Sequence, residues 1–243
     1  MQRFFKIRKL RSFSDNKFGK YLLYAIGEIL LVVIGILVAL KINNWNEERK
    51  NEKLLVGIFK NMSYDLERDT LLINRAIEFY EAREEVAKKV LADSMQAEDY
   101  KSCILCTSMI TTYFPVTIND KGYSQLKNYY EDSSNRDSLT VDMVQFYTAF
   151  TDILDELGGI VERNTFENLE HWRDTYPWFS NVLSNKPDER FLNYVTDDPD
   201  FKNRVAFFYT IACQNYLQIL KTYNRNAKEA LGRIEERIDE PGP

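Results

Sequence analysis

Chain breakers are scarce in this sequence. Glycine occurs only 9 times and proline 6 times in 243 residues, too few for the turns of a β sandwich. No β–α alternation with glycine-rich turns is visible, which argues against a nucleotide-binding sheet. Histidine occurs once and cysteine 3 times. That leaves no second ligand pair for a zinc site, and no metal or other cofactor is expected. No repeat of fixed period is present. Large side chains, by contrast, are plentiful: Tyr and Phe number 15 each, hydrophobic residues make up 44% and charged residues 28%. This is a globular balance rather than a disordered one. Bulk with few breakers favours long helices, and the length suits one ordinary domain with an anchor, or at most two small domains.

The net charge of −5 conceals an asymmetry. Residues 1–20 carry Arg3, Lys6, Arg8, Lys9, Arg11, Lys17 and Lys20 against Asp15 alone. From Asn43 onward 24 basic residues face 35 acidic ones, a net of −11. So acidic a domain repels phosphates, and the basic segment is too short for a nucleic-acid module, so no nucleic-acid partner is expected.

Residues 21–40 read Y-L-L-Y-A-I-G-E-I-L-L-V-V-I-G-I-L-V-A-L, with Glu28 as the single charge. Roughly 20 residues at about 1.5 Å each cross a hydrocarbon core. The run is apolar on every face, unlike the core helix of a soluble protein. It is longer than a signal-peptide core, and no small-x-small cleavage site follows. No cysteine lies close enough after it for a lipoprotein. It is therefore read as an uncleaved signal anchor. The positive charges before it place the N-terminus in the cytoplasm and the bulk of the chain outside, in the periplasm of a two-membrane cell. Tyr21, Tyr24 and Trp45 sit where interfacial aromatics are expected, and Lys41 can snorkel outward. Phe4, Phe5, Ile7, Leu10 and Phe13 alternate with basic residues. Residues 2–13 thus read either as an amphipathic helix on anionic lipid or as a tail that only sets topology.

Glu28, Val32, Gly35 and Ala39 share one helical stripe. Gly35 and Ala39 form a small-xxx-small pair that lets a second helix come close. An ionised carboxylate inside the span costs a few kcal/mol, so the stripe is expected to meet protein rather than lipid. Three readings of Glu28 stand open: a hydrogen-bonding contact in a homo-oligomer, a headgroup-level carboxylate near Lys17 or Lys20, or a proton-relay carboxyl of an energised complex.

Apolar steps of three and four mark helices over 54–91, 139–161 and 200–238. The first can continue from the span, the second ends or bends near Gly158 and Gly159, and the third starts at Asp198-Pro199. Residues 98–111 read as a helix holding both cysteines, 113–120 as a loop, and 121–131 as a short helix. Residues 132–135 read as a turn cluster, 162–183 as a helix broken at Tyr176-Pro177, and 184–199 as a loop. The expected architecture is all-α. It comprises a basic cytoplasmic segment (1–20), one transmembrane helix (21–42), an extracytoplasmic helical bundle (43–238) with its first and last helices antiparallel, and a frayed tail (239–243).

Chemical motifs are weak. Cys103-Ile104-Leu105-Cys106 is a C-x-x-C, readable as a structural disulfide, as buried thiols or as a redox pair. It lacks the β–α context of a thioredoxin-like site. Cys213 falls on an apolar helix face and reads as core. His171, beside Glu170 and Asp174, has no nucleophile near it and reads as an exposed helix-face residue rather than a general base. Trp172, Tyr176, Trp178 and Phe179 read either as a cap on the bundle or as a ligand pocket.

The stretch N-K-F-G-K-Y-L-L-Y-A-I-G-E-I-L-L-V-V-I-G-I-L-V-A-L-K-I-N-N-W-N-E, residues 16–47, resembles the opening of an uncharacterised Bacteroidota membrane-protein family. The shared features are K-Y-L-x-Y-A-x-G-E, a span rich in Val, Ile and Gly, and the exit I-N-N-W-N-E. A Y-x-x-L-K segment follows here as Tyr123, Leu126 and Lys127. Asn128-Tyr129 stands where many members have Ser-Gly. The resemblance implies an inner-membrane anchor with an outward helical domain and implies no activity.

The sequence thus predicts a protein acting by interaction rather than catalysis. Its expected partners are membrane lipid and a second copy or another envelope protein, with any small-molecule ligand unspecified.

Overall fold

The computed structural model describes residues 17–132 and 137–240. Segment 2–13, turn residues 133–135 and tail residues 241–243 lie outside the described residues. Within them every regular element is helical. In chain order these are α1 (Lys17–Leu91), α2 (Ala97–Ser102), α3 (Ile104–Ser108), α4 (Lys121–Asp132), α5 (Ser138–Thr175), α6 (Phe179–Leu183), α7 (Glu189–Asp197), α8 (Pro199–Phe208), a π-helix (Tyr209–Tyr216) and α9 (Leu217–Asp239). The chain divides into two compact units, Met1–Leu54 and Leu55–Pro243.

In the first unit, the apolar stretch of α1 has none of its span-length window buried. Ile29, Leu31, Val38 and their neighbours are all exposed. Among the described residues, α1 is the one helix long and apolar enough to cross a membrane.

The second unit begins with the amphipathic remainder of α1, which buries Phe59, Met62, Leu66, Ile73 and Tyr80 at helical spacing. The helix stops at a left-handed Asp93 (φ 51°). There Asp93 N–H donates to Val90 O (3.2 Å) and Ser94 N–H to Lys89 O (3.1 Å), the paired bonds of a Schellman end. α8, the π-helix and α9 follow one another without a gap and run antiparallel to α1. Tyr80 meets Tyr216 edge-on at 5.5 Å, and Asn224 donates to Asn74 (2.8 Å). α5 lies against the same rod, with Arg233 paired to Asp142 (2.7 Å) and Phe150 against Tyr223 (5.5 Å).

Four expectations are corrected. The 98–111 helix is two short ones, because Cys103 adopts an extended backbone (φ −89°, ψ 91°) between them. α5 does not end at Gly158 and Gly159 but continues to Thr175. A Cβ on Gly158 would lie 3.2 Å from the Tyr216 hydroxyl, so the glycine lets that ring pack close, and burial offsets its helix cost of about 1 kcal/mol. The 184–199 loop contains α7, capped by the Asp188 side chain and burying Phe191, Tyr194 and Val195. Nine residues flanked by Pro187 and Pro199 gave too little periodicity to register. The last helix, read as regular, contains the π-helix. Its inward residues Phe208, Ala212, Tyr216 and Leu220 are spaced by four, which overruns an α-turn by about 40° per step. Wider i→i+5 turns absorb the drift, and Leu217 and Leu220 are buried with Ile219 packed beside them.

Candidate functional site

The residues expected to form the membrane stripe lie on α1. Glu28, Ala39 and Trp45 are exposed, and a Cβ on Gly35 would meet nothing within 4 Å. Nothing from the chain covers that face among the described residues.

Cys103 and Cys106 are joined by a disulfide. Cys213 is a free, fully buried thiol, which burial pushes up to about 12. Among the described residues no group of three or more His, Cys, Asp or Glu could hold a metal ion.

His171 is half-buried rather than exposed, and neither neighbouring acid serves it. Asp174 pairs with Arg173 (2.7 Å), and Glu170 faces solvent. Instead His171 Nε2 lies 3.2 Å from Asp200 Oδ2, close enough for charge attraction yet misdirected for a hydrogen bond. Asp200 is the centre of a polar chain. Tyr194 O–H and Arg204 Nε each donate to Asp200 Oδ2 (2.8 Å). Arg204 Nη1 donates to Asn168 Oδ1 (2.8 Å), and Asn168 Nδ2 to the Ile110 carbonyl (2.8 Å). Trp172 Nε1 donates to the Tyr194 hydroxyl (3.0 Å). Burial alone would raise the Asp200 carboxyl. The hydrogen bonds from Arg204 and Tyr194 and the charge of Arg204 outweigh it and hold the group below its ordinary value.

Most of the aromatic group is core: Trp172 and Trp178 are each 2% exposed and Tyr194 is buried with them, while Tyr176 and Phe179 are partly buried against it. Tyr176, Trp178 and Tyr194 line an open groove of about 560 Å³, with Arg190, Asp197 and Asp198 around them. Tyr176 stacks on Trp178 at 4.8 Å, so the ring faces are spent mainly on each other. Arg190 is held in a bidentate pair by Asp188 (2.7 and 3.0 Å), which keeps the Asp188 carboxyl far below its ordinary value. Phe179 packs on the core beside the groove. Tyr194 and Phe191 escaped the sequence reading because their helix did.

A second polar centre, also missed, joins α1 to the loop and helix 50 to 60 residues later. Asp69 is fully buried. It accepts from the Asn119 backbone (3.1 Å), the Asn119 side chain and the Tyr223 hydroxyl (3.2 Å). Asp65 accepts from the Gly122 N–H (2.8 Å). The two carboxylates satisfy backbone donors at the start of α4, as a capping side chain would. Burial raises the Asp69 carboxyl above its ordinary 3.8, and the hydrogen bonds from Asn119 and Tyr223 only partly oppose this. A raised carboxyl costs the folded state nothing below 3.8 and progressively more as pH climbs through the raised value. Asp69→Asn removes that dependence. In denaturant melts the wild type is expected to gain on the variant between pH 7 and pH 4.5; a variant that gains on the wild type over that range contradicts the assignment.

Both centres tie one part of the chain to another: Asn168 to the Ile110 carbonyl in the first, Asp65 and Asp69 to Gly122 and Asn119 in the second. A family model matches residues 28–210, that of a family of unknown function (DUF6090). No curated protein and no solved structure matches the chain.

Proposed function

The chain belongs to the DUF6090 family, whose function is unknown, and from that premise we propose that it is a single-pass inner-membrane protein working by interaction rather than catalysis. The N-terminus lies in the cytoplasm and the helical domain in the periplasm, where it binds a protein or small ligand or scaffolds an envelope complex. One observation carries this reading: the apolar stretch of α1 is wholly unburied, while the unit from Leu55 onward has a core of its own. A soluble chain would expose those side chains to water at about 25 cal/mol per Å²; lipid removes that penalty. The acidic domain and basic N-terminal segment support the direction.

The stripe of Glu28, Val32, Gly35 and Ala39 makes the span a contact surface for a second copy. Single-cysteine substitutions along 28–39 in native membranes are expected to crosslink with a three-to-four-residue period peaking on that stripe; flat or absent crosslinking removes the interface. Glu28 also sustains the second reading, an accessory subunit of an energised membrane complex. Glu28→Gln should preserve crosslinking under the packing role and abolish proton-coupled activity under the relay role.

A further inference from the structure

The Cys103–Cys106 bond lies at the junction of α2 and α3, and its two sulfurs are not equivalent. Cys106 is 1% exposed and sits in the core. Cys103 is only partly buried and lines an open groove of about 380 Å³ together with Lys89, Met95 and Asp99. The Cys106 N–H donates to Cys103 Sγ (3.0 Å), a bond that strengthens as negative charge develops on that sulfur. Lys89, exposed on the last turn of α1, and Asp99 bring opposite charges to the same groove, so the Cys106 N–H is the specific donor to the sulfur. The closed ring spans a sequence separation of 3. A loop this short restrains the unfolded chain least, so the bond's main consequence is local rather than global.

We propose that Cys103–Cys106 is a thiol–disulfide exchange site that accepts two electrons from a dithiol. The donor's first thiolate attacks Cys103 Sγ through the groove and forms a mixed disulfide. The Cys103–Cys106 bond breaks, and its electron pair leaves on Cys106, which takes up a proton. The donor's second thiol, once deprotonated, attacks its own sulfur in the mixed disulfide and expels Cys103 as a thiolate, stabilised by the Cys106 N–H until it is protonated. The donor ends as a disulfide and the chain as a dithiol, with two electrons and two protons transferred. Attack at Cys106 is closed because its sulfur is buried. A monothiol stalls at the first step, because Cys106 returns to Cys103 and expels it. The site stands apart from the interaction reading above, since it requires no partner at the membrane stripe.

The test uses the full chain in detergent micelles without denaturant. Dithiothreitol followed by maleimide trapping and mass spectrometry is expected to modify Cys103, leaving the buried Cys106 and Cys213 unmodified and the far-ultraviolet dichroism unchanged. Glutathione is expected to leave the wild type oxidised and free of adduct. With glutathione disulfide, Cys106→Ser should form a mixed disulfide at Cys103 at least tenfold faster than Cys103→Ser forms one at Cys106. A pair that dithiothreitol reduces only after unfolding, or equal reactivity of the two single-cysteine variants, overturns the proposal. The first result is read on the wild type and holds whether or not either variant folds.

Discussion

Trp172→Ala is expected to lower the unfolding free energy by about 3–5 kcal/mol, the range for a large aromatic removed from a closed core. The ring is 2% exposed. It stands edge-on to Trp178, Phe191 and Tyr194 at centroid distances of 5.3, 5.6 and 5.8 Å. Its indole N–H donates to Tyr194, the residue that passes the contact on to Asp200. Alanine would empty the centre of that group and loosen α5 from α7 at once. Trp172→Phe keeps most of the volume and loses one hydrogen bond, so its cost should fall nearer 1 kcal/mol. Denaturant melts in micelles distinguish the two. Equal losses from both variants would show that the hydrogen bond, not the packing, holds the helices together.

Gly122→Ala is the second large effect, and its cause is backbone rather than side chain. A Cβ at this position would lie 2.7 Å from the Met62 amide nitrogen and 2.8 Å from its Cα. Rotating the Met62 side chain relieves neither contact, so α4 must move away from α1. That movement also stretches the Gly122 N–H bond to Asp65. The expected cost is about 1–3 kcal/mol or more, the range for overpacking. Gly159→Ala is the matched control, because its Cβ would meet nothing within 4 Å. It should stabilise α5 by about 0.5–1 kcal/mol through helix propensity. Opposite signs at two glycines of one domain are read from the midpoints of the same melts. A neutral Gly122→Ala would mean that α4 does not approach α1 so closely.

These two sites also show how far the sequence could be read. The long helices and the apolar stretch of α1 were legible, because periodicity and hydropathy are local properties that survive in any window of a dozen residues. The antiparallel pairing of the first and last helices followed from their length and order. Gly122 was invisible as a contact point, since nothing near Lys121 records the passage of Met62. The same holds for Asp65 and Asp69: on α1 they look like solvated helix residues, and only the fold brings Gly122 and Asn119 to them. His171 shows the opposite error. Its sequence neighbour Asp174 pairs with Arg173 and Glu170 is exposed, while the acid within 3.2 Å, Asp200, comes from 29 positions later. The groove was half legible, since Tyr176 and Trp178 were among the aromatics read as a bundle cap or a ligand pocket, but Tyr194 lay in a helix too short for its pattern to show.

The central claim is an anchored chain with its helical domain outside the cytoplasm. It is tested most directly with Lys186→Cys, at an exposed position between α6 and α7, and a membrane-impermeant maleimide applied to intact spheroplasts. The unsubstituted chain, in which Cys103 and Cys106 are bonded and Cys213 is buried, sets the background, including any Cys103 freed by thiol exchange. The account predicts that the new cysteine is labelled before lysis, on a protein that remains with the membrane pellet. Labelling only after lysis, or a labelled protein released into the soluble fraction, would contradict it.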